Sequence, residues 1–119
     1  MPTRKYDEMP VAKIREGAER RLGHTDNLMM VVVDFYDGPQ ERPDPFHSHL
    51  HEQVSYVAEG EVVVVIGGES PEGDPSETRA GPGDIFLVPS GRPHTIQLLT
   101  RHARLIDCFT PIRQDFISK

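Results

Sequence analysis

The feature that most constrains this chain is its beat of short β-prone runs separated by turn residues. Residues 28–36 (LMMVVVDFY) form a β-branched and aromatic run that reads as a strand buried near its middle. A loop rich in glycine and proline follows at 37–45. Further extended pieces are predicted at 47–51, 53–58, 61–66, 78–80, 84–88, 94–99 and 103–109, with a tight hairpin turn at Glu59-Gly60. The 10 glycines and 11 prolines are too many for a helical protein and suit short strands joined by tight turns. An all-β chain of this kind closes into an antiparallel barrel or a two-sheet jelly roll.

The 119 residues suffice for one domain with its own core. The expected division is an N-terminal arm and first strand over 1–27, a barrel over 28–110 and a tail over 111–119 that packs near the barrel mouth. A short helix is an option at 15–21, although Gly17 and Gly23 interrupt its pattern. The four valines Val62, Val63, Val64 and Val65 do not alternate with polar residues, so both strand faces should be covered, one by the core and one by a second subunit. The reading is therefore a homodimer. The acidic stretch at 67–75 is a solvated connection or a substrate lid.

A net charge of −6 argues against a nucleic-acid partner and against attraction to an anionic membrane. The single Cys108 excludes an internal disulfide and suits a reducing compartment. The N-terminus lacks an apolar leader and no run reaches membrane-spanning length, so a cytoplasmic protein is expected.

Two groups of residues carry chemistry. His47, His49 and His51 alternate along an extended piece, which would project them from one face, with Gln53 following. Clustered neutral imidazoles suit a transition metal, but a strand with solvent-exposed histidines fits this stretch equally well. Asp107 and Phe109 share one face of the last strand, and Ile106 and Cys108 the other. A carboxylate on a core strand is costly unless it is paired or used. Arg113 could fold back to hold a substrate carboxylate, or pair with Asp107 and fix the tail; pattern alone leaves both open.

The ordered patterns H-x-H-x3-Q-x6-G, from His47 to Gly60, and G-x5-P-x-G-x2-H, from Gly83 to His94, resemble the two motifs of the cupin superfamily. This resemblance spans 46–98 and implies a single-domain jelly-roll β-barrel (a double-stranded β-helix) binding one divalent transition metal: Zn, Ni, Mn or Fe. Carried over by position, the ligands would be His47, His49, Gln53 and His94. His51 falls between the matched positions, while His24 and His102 match nothing and read as surface residues. Glu41, Gln53 and Leu98 depart from the usual glycine, glutamate and asparagine. Gln53 matters most, because a neutral ligand set leaves the metal its full charge and makes it a stronger Lewis acid. Such a set suits Zn²⁺, Ni²⁺ or Mn²⁺ better than iron oxygenase chemistry. The rival is a cupin that has lost its metal.

A narrower resemblance rests on HSHLHEQ at 47–53 and on D-x-F-x-P-x-R-x-D-F at 107–116. Both are similar to the small cupins of pectin and alginate breakdown, which convert cyclic 4,5-unsaturated monouronates to their open-chain keto form. The resemblance implies an isomerase-type enzyme acting on a small sugar acid. Asp107 would move the proton, Arg113 would clamp the carboxylate and Phe109 would pack on the ring. The competing readings are a metal-dependent dioxygenase of a flavonoid, thiol or diketone, and a small-ligand-binding cupin without catalysis.

Overall fold

In the computed structural model, which describes residues 3–67 and 76–117, two antiparallel sheets face each other as a jelly-roll sandwich. The strands are β1 (Ala12–Arg15), β2 (Ala18–His24), β3 (Met29–Phe35), β4 (Glu52–Glu59), β5 (Val62–Ile66), β6 (Ser76–Ala80), β7 (Ile85–Val88), β8 (His94–Leu98) and β9 (Ala103–Thr110). Among the described residues one short α-helix, α1 (Gln114–Ile117), follows β9. The larger sheet runs β1-β2-β3-β9-β4-β7 and the smaller β6-β5-β8. The acidic lid expected at 67–75 lies, apart from Gly67, outside the described residues. Among the described residues, no helix is long and apolar enough to cross a membrane.

Strand β9 joins the two halves of the large sheet. Its Leu105, Asp107 and Phe109 pair with Val33, Val31 and Met29 on one side and with Val57, Ser55 and Gln53 on the other. Because side chains alternate along strands, these rows all face inward. Met29, Val31, Val57 and Leu98 are fully buried there. Turn chemistry holds the frame in register. Gly60 turns β4 into β5 at φ 81°, and a Cβ on it would lie 2.2 Å from the His102 carbonyl, so only glycine fits.

Three expectations need correction. The segment at 15–21 is a hairpin, not a helix: Gly17 reverses the chain at φ 83° and Ala18 starts β2 in the core. The piece at 47–51 is not a strand. His47 exchanges backbone bonds with His94 (3.1 and 2.9 Å), but His49 accepts from Gly91 rather than Arg92. That slip of one residue ends the ladder after a single bridge. Third, the valine run needs no second subunit to cover it, since Val62, Val64 and Val65 are buried and Val63 half-buried within the single chain. Four exposed apolar side chains lie together on the outer face of the large sheet, where Val54 and Tyr56 pair with Leu87 and Ile85.

That same outer face carries a buried carboxylate. Asp34 is 0% exposed and accepts bonds from Tyr6 Oη (2.6 Å), Arg104 Nε (2.7 Å) and His102 Nε2 (3.1 Å). Arg21 stands 3.6 Å away, and its guanidinium lies over the Tyr6 ring. Residues near the N-terminus are thereby pinned onto the sheet. His102, expected on the surface, is half-buried between Asp34 and Glu59 and stacks on Tyr36. His24 is exposed, as expected.

Candidate metal centre and active site

The inward faces of β3, β4, β8 and β9 leave a cavity of about 420 Å³ whose wall includes His47, Gln53, His94, Asp107, Phe109 and Arg113. One nitrogen from each of His47, His49 and His94 can converge to within 4.8 Å. The three grade from exposed His47 through half-buried His49 to buried His94, so the cluster opens toward solvent on one side. His51 stands just outside it. Its carbonyl accepts from His49, and its ring meets the His49 ring edge-on at 5.7 Å.

The hydrogen bonds fix how each imidazole presents itself. His94 Nδ1 lies 2.9 Å from the Arg92 carbonyl and His49 Nδ1 lies 2.9 Å from that of His51, so each Nδ1 carries its proton and leaves Nε2 as a lone pair. His47 is likewise bonded to the Pro45 backbone. His94 Nε2 is buried and has no hydrogen-bond partner. Burial, and then the neighbouring positive charges, push the His47 pKa down; burial does the same for His49. His94 is lowered to about 4, chiefly by burial. All three rings are therefore neutral near pH 7, the form that binds a metal.

Gln53 completes the test of whether a cation fits. Its amide nitrogen donates to Ser55 Oγ at 2.8 Å, which turns its carbonyl oxygen toward His49 Nε2 at 3.1 Å. Two lone pairs thus face each other with no proton between them. A shared cation resolves that repulsion, and three imidazoles with one amide oxygen are a donor set for a borderline divalent ion. The residues present fit a metal.

The same amide leads to the carboxylate. Ser55 Oγ accepts from Gln53 and donates to Asp107 Oδ1 at 2.6 Å. Burial raises the Asp107 pKa to about 6, with the Ser55 hydrogen bond and the charge of Arg113 partly opposing it. Phe109 is buried beside it and meets the His49 ring edge-on at 5.5 Å. Arg113 does not pair with Asp107 as one alternative had it. Its Nε and a terminal nitrogen bond both oxygens of Asp115, at 3.0 and 2.7 Å, and its guanidinium lies 4.1 Å from the Phe116 ring.

Sequence reasoning missed Ser55, because a serine inside an alternating strand gives no signal until its neighbours across the sheet are known. Arg20 and Phe116 also line the cavity. The inward alternation of Ala18, Arg20 and Leu22 along β2 was the available signal for Arg20, hidden by the helical reading of that segment.

Residues 23–109 match the family model described as a cupin domain. The pectin degradation protein KdgF of Dickeya dadantii is 34% identical over 113 residues, covering 93% of this chain and 94% of that protein. A solved structure of KdgF from a Halomonas species superposes with a TM-score of 0.79 at 31% identity, covering 94% of this chain and 96% of the other. An RmlC-like cupin from Shewanella frigidimarina superposes at 0.80 with 32% identity, covering 95% and 93%.

Proposed function

This chain belongs to the cupin family, and on that premise we propose that it is a metal-dependent isomerase-type enzyme that opens and ketonises a small unsaturated uronate. The observation that carries the reading is the run of hydrogen bonds from Gln53 through Ser55 to Asp107, which joins a candidate metal ligand to a carboxylate of raised pKa. Similarity to the KdgF proteins along nearly the whole chain supports the substrate class.

A divalent metal held by His47, His49, Gln53 and His94 would supply Lewis-acid stabilisation of negative charge on the substrate oxygens. The chain's own residues do the rest. Asp107, ionised above pH 6, takes the proton of the anomeric hydroxyl as the bond between C1 and the ring oxygen breaks. The electrons of that bond remain on the former ring oxygen as an enolate at C5. Asp107 returns the proton to C4, giving the C5 ketone, so the reaction is an isomerisation with nothing gained or lost. Ser55 holds Asp107 in place through its 2.6 Å bond. Phe109 forms an apolar wall against the ring and excludes water. Arg113 contributes positive charge to the same wall.

Replacing Asp107 with alanine tests the reading. Turnover of an unsaturated monouronate, followed as loss of the ultraviolet absorbance of its conjugated double bond, should be abolished while metal content stays unchanged. Full activity in this variant would overturn the assignment.

The same proposal includes a homodimer in the cytoplasm, formed through the outer strip of Val54, Tyr56, Ile85 and Leu87. An apolar strip of this kind complements its own copy across a twofold axis. Light scattering should give a dimer that Tyr56→Lys converts to a monomer. A monomeric wild type at micromolar concentration removes the dimer and leaves the chemistry standing.

A further inference from the structure

Arg20 is the one cavity-wall cation without a carboxylate hydrogen-bonded to it among the described residues. On β2 it pairs with Val33, which pairs in turn with Leu105, and both neighbours are buried inward, so the guanidinium projects into the cavity. Its Nε is buried and makes no hydrogen bond. The guanidinium lies 3.8 Å from the Phe116 ring centroid, and that of Arg113 lies 4.1 Å from the same ring. Two cations therefore share one aromatic ring and one nearby carboxylate, Asp115, whose two oxygens are both taken by Arg113.

The charge balance at this end of the cavity follows directly. Arg20 and Arg113 bring two positive charges; Asp115 is bonded to Arg113 and the charge of Asp107 also acts on Arg113, so Arg20 alone is left without a carboxylate bonded to it before any ligand enters. Burial, together with repulsion from Arg113, pulls the Arg20 pKa down, although Asp115 partly compensates. An arginine in apolar surroundings with an unsatisfied donor is costly, and a carboxylate of the ligand removes that cost by accepting the free N–H groups in pairs. The cation–π contact with Phe116 orients the guanidinium plane but satisfies none of its donors.

We infer that Arg20 receives the carboxylate of the substrate, and that Arg113, already held by Asp115, positions Phe116 beside it. The uronate is thereby held at one end by its carboxylate while its ring oxygen and anomeric hydroxyl face Asp107 and the histidine cluster. This deepens the uronate reading and rests on it for the identity of the ligand, but it concerns recognition of charge rather than turnover.

The experiment is calorimetric titration of the zinc-loaded full chain with galacturonate and with galactose, its uncharged counterpart. Wild type is compared with Arg20→Met, which keeps the aliphatic length, and with Arg20→Lys. Wild type should prefer galacturonate. Arg20→Met should lose roughly 10- to 100-fold of that affinity, the scale of charge-assisted hydrogen bonds, with galactose binding and zinc content unchanged. Arg20→Lys should fall between them, since it keeps the charge and loses the fork; it also serves if the methionine variant fails to fold. Equal galacturonate affinity in wild type and variant overturns the inference, as does a wild type with no preference for the charged sugar. If the preference depends on Arg20 but the unsaturated monouronate is not turned over, the proposed activity falls and the carboxylate site stands.

Discussion

Two carboxylates on neighbouring strands of this fold, Asp34 and Asp107, have opposite surroundings. Asp34 sits on the outer side of the large sheet and accepts from a tyrosine, an arginine and a histidine. Burial would raise its pKa, but those three bonds and the Arg104 charge outweigh it and hold the carboxyl below its ordinary range. Asp107 points inward from the neighbouring strand β9: it has one hydroxyl donor, and burial wins, raising it to about 6. The saturated carboxylate is a fastener, because its charge is fully spent on fixed partners. The under-satisfied one can exchange a proton near neutral pH, which is what general acid–base chemistry needs. Counting donors around a buried carboxylate thus separates the two roles on one sheet.

The comparison breaks most visibly if the two residues are exchanged for their amides. Asp107→Asn should lower turnover of an unsaturated monouronate by about 10²- to 10⁴-fold, the range for loss of a proton-transfer group, without lowering the melting temperature at pH 8. The sign follows from linkage. A folded pKa raised above the unfolded value is a contribution present at low pH and lost as pH rises through about 6, so the ionised Asp107 is a stability cost that the amide relieves. Asp34→Asn should do the reverse, costing about 3–5 kcal/mol in denaturant unfolding because Arg104 and Arg21 lose their buried counter-charge, while turnover per folded molecule is kept. Stripping the metal should come next. At a hundredfold excess over its dissociation constant a bound ion contributes about 2.7 kcal/mol, and chelation should lower the melting temperature accordingly. Smallest is Tyr6→Phe, which removes one hydrogen bond to Asp34 and should cost about 1–2 kcal/mol in the same unfolding assay.

Much of this arrangement is legible in the sequence because it is periodic or locally spaced. The run at 28–36 appears as β3, the Glu59-Gly60 turn as the β4–β5 hairpin, and the pairing of Asp107 with Phe109 on one face as a simple alternation. The histidine and glutamine spacings likewise bring their side chains together. What stays hidden is of two kinds. Inward-pointing charge disguises a strand, as Arg20 does between Ala18 and Leu22, and the segment then reads as a polar helix. Contacts across the sheet carry no spacing signal, as with Ser55 and Asp107, 52 residues apart, or His102 and Asp34, 68 apart. Arg113 shows a third effect: a partner two residues away, Asp115, takes the pairing that a more distant carboxylate seemed to offer.

The central claim is that Asp107 moves the proton and that Ser55 sets its readiness. Its most direct test is the pH dependence of kcat/KM for metal-loaded wild type and Ser55→Ala. Wild type should lose activity as pH falls through about 6, with a slope of one proton, and the alanine variant should show the same limb at higher pH, because the hydrogen bond that holds the Asp107 pKa down is gone. A limb that stays in place when Ser55 is removed would contradict the account.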